Sequence, residues 1–322
     1  MRVVAADGQG PPGSVWGVID VVVPQRLRSS DRVAVVAPSG RVQADRLETG
    51  AEHLKAWGLE VEVMPSVLAG HERLTYLAAD DKARAEDLRA AWLDDRFAAV
   101  FCARGGYGVQ RMLEYVDFDE LVAIPKWFVG FSDITALHEP LNARGLVTIH
   151  GPMAAAVEQL GVAEGRKRLH TLLFEPESVT DLLAPAGART VVDGVGEGRL
   201  HGGNLALVAS SLGTPTCAAP AGIVVLEDVN EDGYRVDRLL TQLLRSGWFD
   251  QVTGVVVGDF SQADEIDEVM RERLEPLGVP IVEGAAIGHE DLNLAVPLGL
   301  PVRLDATAGT LTPLWSGAPA GS

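Results

Sequence analysis

The hexapeptide Val129-Gly130-Phe131-Ser132-Asp133-Ile134 runs an apolar strand into a serine and starts a helix at once, with Ile134, Leu137 and Leu141 on one face. Such a sharp strand-to-helix turn exposes the serine oxygen and aims the helix's free N–H groups at whatever that oxygen attacks. The competing use of Ser132 is a helix N-cap, and on the hexapeptide alone the cap leads. Ile134 also stands where the G-x-S-x-G pattern has its second glycine. A second candidate is Arg104-Gly105-Gly106-Tyr107-Gly108. Glycines here let backbone N–H groups approach an anion closely. No Gly-Lys-Ser/Thr follows, so this is no phosphate loop. By itself it reads equally as a tight turn between strand and helix, and Arg104 as a carboxylate anchor or the partner of an acid.

An activated serine needs a base. Of the seven histidines, His138 lies six positions after Ser132, about 240° round the same helix, and points away. His53 and His71 sit in polar surroundings, His170 lies near a linker, and His150 and His201 precede glycines. His289 follows a strand and a glycine-containing turn, in Ala286-Ile287-Gly288-His289-Glu290. Loops in such places carry function. An orienting carboxylate is available at Glu227, which ends the apolar strand Ile223-Val224-Val225-Leu226. An acid there is expensive unless it is used or paired. Metal chemistry finds no support. The His-Glu pairs at His71, His138 and His289 are followed four residues on by Thr75, Asn142 and Asn293, so no H-E-x-x-H site exists. His201-Gly202-Gly203 falls after the candidate nucleophile, against the order of lipases and esterases.

The elements that must position these residues belong to a chain of 322 residues, long enough for two domains or one large α/β unit. A hydrophobic content of 47% fills a real core. The net charge of −18 argues against nucleic acid and anionic membrane surfaces as partners. Cys102 and Cys217 form no disulfide framework and no zinc site, and read as buried thiols of a reducing compartment. No apolar run is long enough to span a membrane, and the first residues lack an export signal. These features suit a cytoplasmic enzyme or binding protein.

Residues 1–26 are rich in glycine and proline and read as an irregular extension. Regular structure begins with Arg32–Ala37, a continuous apolar run bounded by Pro38-Ser39-Gly40, as in a strand buried on both faces. A helix over 44–57 and a strand over 60–64 follow. Next come a helix capped by Asp80, a strand over 98–102, a short helix over 109–115, a strand over 127–131 and a helix over 133–143. This alternation predicts a doubly wound parallel sheet over 27–155. Residues 156–190 read as a helical, then Pro- and Ala-rich linker. Residues 191–322 form a second, smaller domain, with strands at 222–227, 252–258 and 280–282 and a helix over 236–245.

Taken together, these segments resemble the LD-carboxypeptidase family of serine peptidases, whose relatives include the microcin C immunity peptidases. The resemblance spans about Asp31 to Leu311 and is carried in the first half by Val35-Val36-Ala37-Pro38-Ser39-Gly40, Cys102–Gly108, Gly130–Leu137 and His150-Gly151-Pro152. In the second half it is carried by Gly202-Gly203-Asn204-Leu205, Leu226–Val229, Tyr234–Arg238 and Gly288-His289. It implies a Ser–Glu–His triad at Ser132, Glu227 and His289, which overrides the cap reading of Ser132. It also implies oxyanion donors at the backbone of Asp133 and Gly106, a β-rich α/β C-terminal domain, no cofactor and a homodimer. The implied substrate is a muropeptide tetrapeptide that loses its terminal D-alanine. The alternatives are an immunity-type amidase acting on peptidyl or aminoacyl nucleotides, and a two-lobed binding protein without catalysis. A carboxypeptidase must hold a free carboxylate, which a net charge of −18 disfavours without a local cation. Arg104 and Tyr107 at the glycine turn, and Arg238 on the helix after Glu227, are the substrate-binding candidates.

Overall fold

Arg32–Val36 pairs in parallel with Glu60–Val63 on one side and Phe97–Cys102 on the other. The sheet continues in parallel through Trp127–Gly130 to Thr148–His150. In chain order these five strands run 2-1-3-4-5, the doubly wound arrangement that the alternation predicts. Residues 2–3, 20–261 and 265–315 are described by this computed structural model. Most of the 1–26 extension lies outside them. Its described end packs on the first sheet: Val21 is buried, and Val22 exchanges backbone hydrogen bonds with Gly145 and Val147.

Alternation explains why the apolar runs are continuous. Val33 and Val35 face one apolar cluster, while Ala34 and Val36 face another. The second sheet has the order Thr310–Pro313, Pro301–Asp305, Val195–Asn204, Gly222–Val229, Val252–Ser261, Ile281–Glu283, Arg189–Val192. Its four central strands are parallel and its edges antiparallel. Val224 and Leu226 pack under the helices Leu205–Ser211, Gly233–Arg245 and Ile266–Leu274. Ile223 and Val225 face the other way, into the cluster that also holds Val33, Val35, Phe101 and Val129. The two sheets therefore share one core. Glu227 continues the 223, 225 parity, which carries its carboxylate toward the first sheet.

The chain also crosses between the sheets. Val296–Leu298, far along in the second half, pairs antiparallel with Thr148–His150 and completes the first sheet as a sixth strand. Asp80 stands at the N-terminus of the Asp81–Leu93 helix without capping it through its side chain, and is instead 3.1 Å from His71. Cys102 is fully buried, whereas Cys217 is only half-buried.

Candidate active site

In a doubly wound sheet, ligands bind beyond the carboxyl ends of the strands where the strand order reverses. Here that point lies between Arg32–Val36 and Phe97–Cys102, and the loops leaving them are Pro38-Ser39-Gly40 and Arg104-Gly105-Gly106. A cleft of about 550 Å³ opens beside them, lined by Arg46, Arg104, Gly105, Gly106, Ser132 and His289 among others.

Ser132 does not cap a helix. It follows the strand Trp127–Gly130 with φ of +64°, in the left-handed region, and begins a single tight turn that leads into the Thr135–Ala143 helix. A non-glycine residue in that region costs ~1–3 kcal/mol, so the surrounding structure must enforce it. Asp133 supplies part of that enforcement. Its buried carboxylate accepts hydrogen bonds from Ser39 Oγ at 2.5 Å and from the Val109 N–H at 2.9 Å. Burial raises the Asp133 pKa, against the pull of those two donors.

His289 Nε2 lies 3.1 Å from Ser132 Oγ, and His289 Nδ1 lies 2.7 Å from Glu227 Oε2. The three side chains thus form one hydrogen-bonded line, from the cleft into the shared core. Glu227 is fully buried. Burial pushes its carboxyl upward, but the imidazoles of His150 and His289 outweigh that and hold it at about 2. For His289 burial pulls the pKa down, and the Glu227 carboxylate more than compensates, so the net shift is upward from 6.5. The loop carrying His289 needs two glycines. A Cβ on Gly258 would come 2.3 Å from the Ile287 carbonyl, and Gly288 has φ of +140° against the Glu227 carboxylate.

Gly105 borders the serine, since a Cβ there would lie 3.1 Å from Ser132 Oγ and 3.5 Å from the Asp133 nitrogen. Gly106 lines the same cleft, with φ of +117°. Arg104 also lines it, and its exposed guanidinium donates to the carbonyls of Arg41 at 3.0 Å and Gly105 at 3.2 Å. Tyr107 stands half exposed against Tyr76 in an adjoining cleft that shares Arg104 and Gly106 with the first. Arg238 is not brought to this place. It is exposed on the Gly233–Arg245 helix with its guanidinium over the Tyr234 ring, and it lines neither cleft.

Sequence reasoning missed three groups. Arg46 is a second cation in the cleft, paired with Glu158 through two hydrogen bonds. Gln159 donates to the carbonyls of Gly288 and Glu290, both at 3.0 Å, strapping the His289 loop. His150, passed over because it precedes a glycine, is buried 3.6 Å from Glu227. The motif His150-Gly151-Pro152 was the only local signal for it. Among the described residues no group of three or more His, Cys, Asp or Glu side chains is placed to hold a metal ion.

Residues 33–151 match the LD-carboxypeptidase N-terminal domain and residues 197–304 the LD-carboxypeptidase C-terminal domain. The chain belongs to this peptidase family and is a hydrolase. It is 49% identical over 300 residues to a putative carboxypeptidase of Streptomyces coelicolor, with 91% of this chain and 96% of that one covered. It is 35% identical over 289 residues to the murein tetrapeptide carboxypeptidase of Pseudomonas aeruginosa, covering 85% and 93%. Among solved structures, the muramoyltetrapeptide carboxypeptidase of Oxalobacter formigenes superposes with a TM-score of 0.75 at 28% identity, over 88% of this chain and 97% of that one. MccF in complex with glutamyl sulfamoyl guanosine superposes with a TM-score of 0.81 over 90% and 97%, and at 21% identity the likeness is one of fold.

Proposed function

We propose that this protein is a serine LD-carboxypeptidase that removes the terminal D-alanine from murein tetrapeptides. The observation that carries the reading is the hydrogen-bonded line from Ser132 through His289 to Glu227, opening into a cleft with Arg104 on its wall. The names of the Pseudomonas and Oxalobacter relatives support the substrate. In this reading His289 Nε2 takes the Ser132 proton as the oxygen attacks the carbonyl before the terminal residue. Glu227 fixes the imidazole tautomer and offsets the charge that His289 gains. The N–H groups of Asp133 and Gly106 receive the oxyanion, each contributing ~2.7–4 kcal/mol of barrier lowering. His289 then returns the proton to the departing amine of D-alanine, and water hydrolyses the acyl-enzyme by the same route. Arg104 anchors the substrate carboxylate, with Tyr107 beside it.

Residence in the cytoplasm and a homodimeric state complete the reading. Both thiols are unpaired, which suits a reducing compartment. Light scattering in solution tests the dimer. The decisive experiment incubates the protein with a panel of muropeptides and with an aminoacyl sulfamoyl adenylate, reading products by mass spectrometry. Release of D-alanine from the tetrapeptide, abolished in Ser132→Ala and unaffected by EDTA, is the expected result. Cleavage of the adenylate alone would move the protein to the immunity branch, and no cleavage by the folded protein would leave a binding protein.

A further inference from the structure

We infer that His150 is a positioning residue for this reaction, the first sheet's hold on the acid that the second sheet supplies. The inference rests on the function proposed above. His150 ends the strand Thr148–His150, between Gly130 of the strand that leads to Ser132 and Val296 of the crossing strand. Its side chain is fully buried, and neither ring nitrogen has a hydrogen-bond partner. Its Nε2 lies 3.6 Å from Glu227 Oε1, which is itself buried and unpartnered. Buried polar atoms are nearly always paired. Here unpaired atoms face one another across a gap that a shift of about half an ångström would close to a hydrogen bond.

The neighbouring buried histidine shows what a purely structural imidazole looks like in this fold. His138 Nδ1 lies 2.8 Å from Thr148 Oγ1 and its Nε2 lies 2.9 Å from the Gly130 carbonyl, so both nitrogens are satisfied. His150 has no such backbone or hydroxyl partner. Gly203 packs beside it: a Cβ there would meet His150 Cδ2 at an ordinary contact distance of 3.4 Å, and what it would collide with is Thr135 Oγ1 at 2.7 Å. The Phe131 ring packs against both imidazoles, its centroid 5.6 Å from that of His150 and 4.9 Å from that of His289.

The chemistry follows from the two oxygens of Glu227. Oε2 faces His289 Nδ1, and Oε1 faces His150. A carboxylate held at one oxygen can swivel about its last bond, whereas one held at both has a fixed plane. With a proton on Nε2, His150 donates to Oε1 and keeps Oε2 aimed at His289 while the Ser132 proton is in transit. Because Ser132 and His150 leave adjacent strands of one sheet and Glu227 comes from the other, the contact also sets the spacing between the sheets at the reacting line.

The test compares His150→Phe, which keeps a flat ring, with His150→Gln, whose amide restores a donor. On the murein tetrapeptide His150→Phe is expected to lower kcat about ten- to hundredfold at unchanged KM, and His150→Gln to regain most of it. Thermal melts establish that both variants fold. Nitrogen-15 histidine spectra of the wild type are expected to show His150 carrying a proton on Nε2, a readout that stands if neither variant folds. Wild-type kcat in His150→Phe, equal losses in the two variants, or an Nε2 without a proton would each overturn the inference. A wild type that cuts no muropeptide would instead remove the proposed function, and the tautomer would still decide the contact.

Discussion

Replacing Gly105 by alanine places a methyl group where the proposed reaction needs space. The new carbon would lie 3.0 Å from Ser132 Cβ, 3.1 Å from Ser132 Oγ and 3.5 Å from the Asp133 nitrogen. Comfortable heavy-atom contacts are ~3.5–4.0 Å, so the serine must yield by several tenths of an ångström. The cheapest movement turns Oγ away from His289 Nε2, which starts at 3.1 Å. The developing oxyanion must also sit ~2.7–3.1 Å from its donors, and the methyl shares that volume. Losing one donor costs about 10²–10³ in kcat, and misplacing a reacting group by ~1 Å costs about 10². The two losses arise from the same crowding and do not add. Gly105→Ala should therefore lower kcat by about 10²–10³. Its stability should barely change. Unlike Gly106 and Gly108, Gly105 is not among the glycines at positive φ. The backbone therefore accepts alanine, and the stiffer unfolded chain returns ~0.4–1 kcal/mol against the crowding. Steady-state D-alanine release beside a thermal melt reads both quantities. A folded Gly105→Ala with wild-type kcat would show that the reacting oxygen does not go there, and a collapsed melt would make the loss one of folding.

Protonated His289 cannot accept the serine proton, and its pKa lies above 6.5 because the Glu227 carboxylate outweighs the opposing effect of burial. Activity should accordingly rise with pH through a limb above 6.5, and Glu227→Gln should move that limb down while lowering kcat by about 10³–10⁴. A limb that stays in place in kcat/KM profiles would break the assignment. Ser132→Gly should be as inactive as Ser132→Ala yet melt higher, because glycine alone relieves the φ of +64°; the reverse order of melts would deny the strain. Arg104→Ala should lower kcat/KM on the free tetrapeptide by about ten- to hundredfold, and amidating the substrate's terminus should hurt the wild type far more than the variant. Equal losses from amidation in both would acquit Arg104.

Continuous apolar runs were enough to place most of the central strands. Arg32–Val36 and Gly222–Val229 bury both faces, and that requirement is written in consecutive residues. The turn at Ser132 was legible for the same local reason, although choosing nucleophile over cap took motifs in both halves of the chain. Val195–Asn204 was not legible as a strand, because its four glycines argue against one. They are there because a Cβ on Gly196 would come 2.1 Å from the Thr253 carbonyl, and one on Gly202 would come 2.2 Å from the Val225 carbonyl. Those collisions are with chain that lies far off in sequence. Val296–Leu298, three residues with a central proline, becomes a strand only because Thr148–His150 offers it an open edge. The same division runs through the site. Residue types at Ser132, Glu227 and His289 announce possible chemistry, but His289 reaches Ser132 across 157 positions and Glu227 across 62. What brings them together is the shared core between two sheets, and with it comes His150, whose local sequence carries no trace of the carboxylate it faces. Local sequence determined which segments are buried and where the chain turns. Packing between the sheets decided which side chains of the site meet, because Glu227 and His289 come from one sheet and Ser132 and His150 from the other.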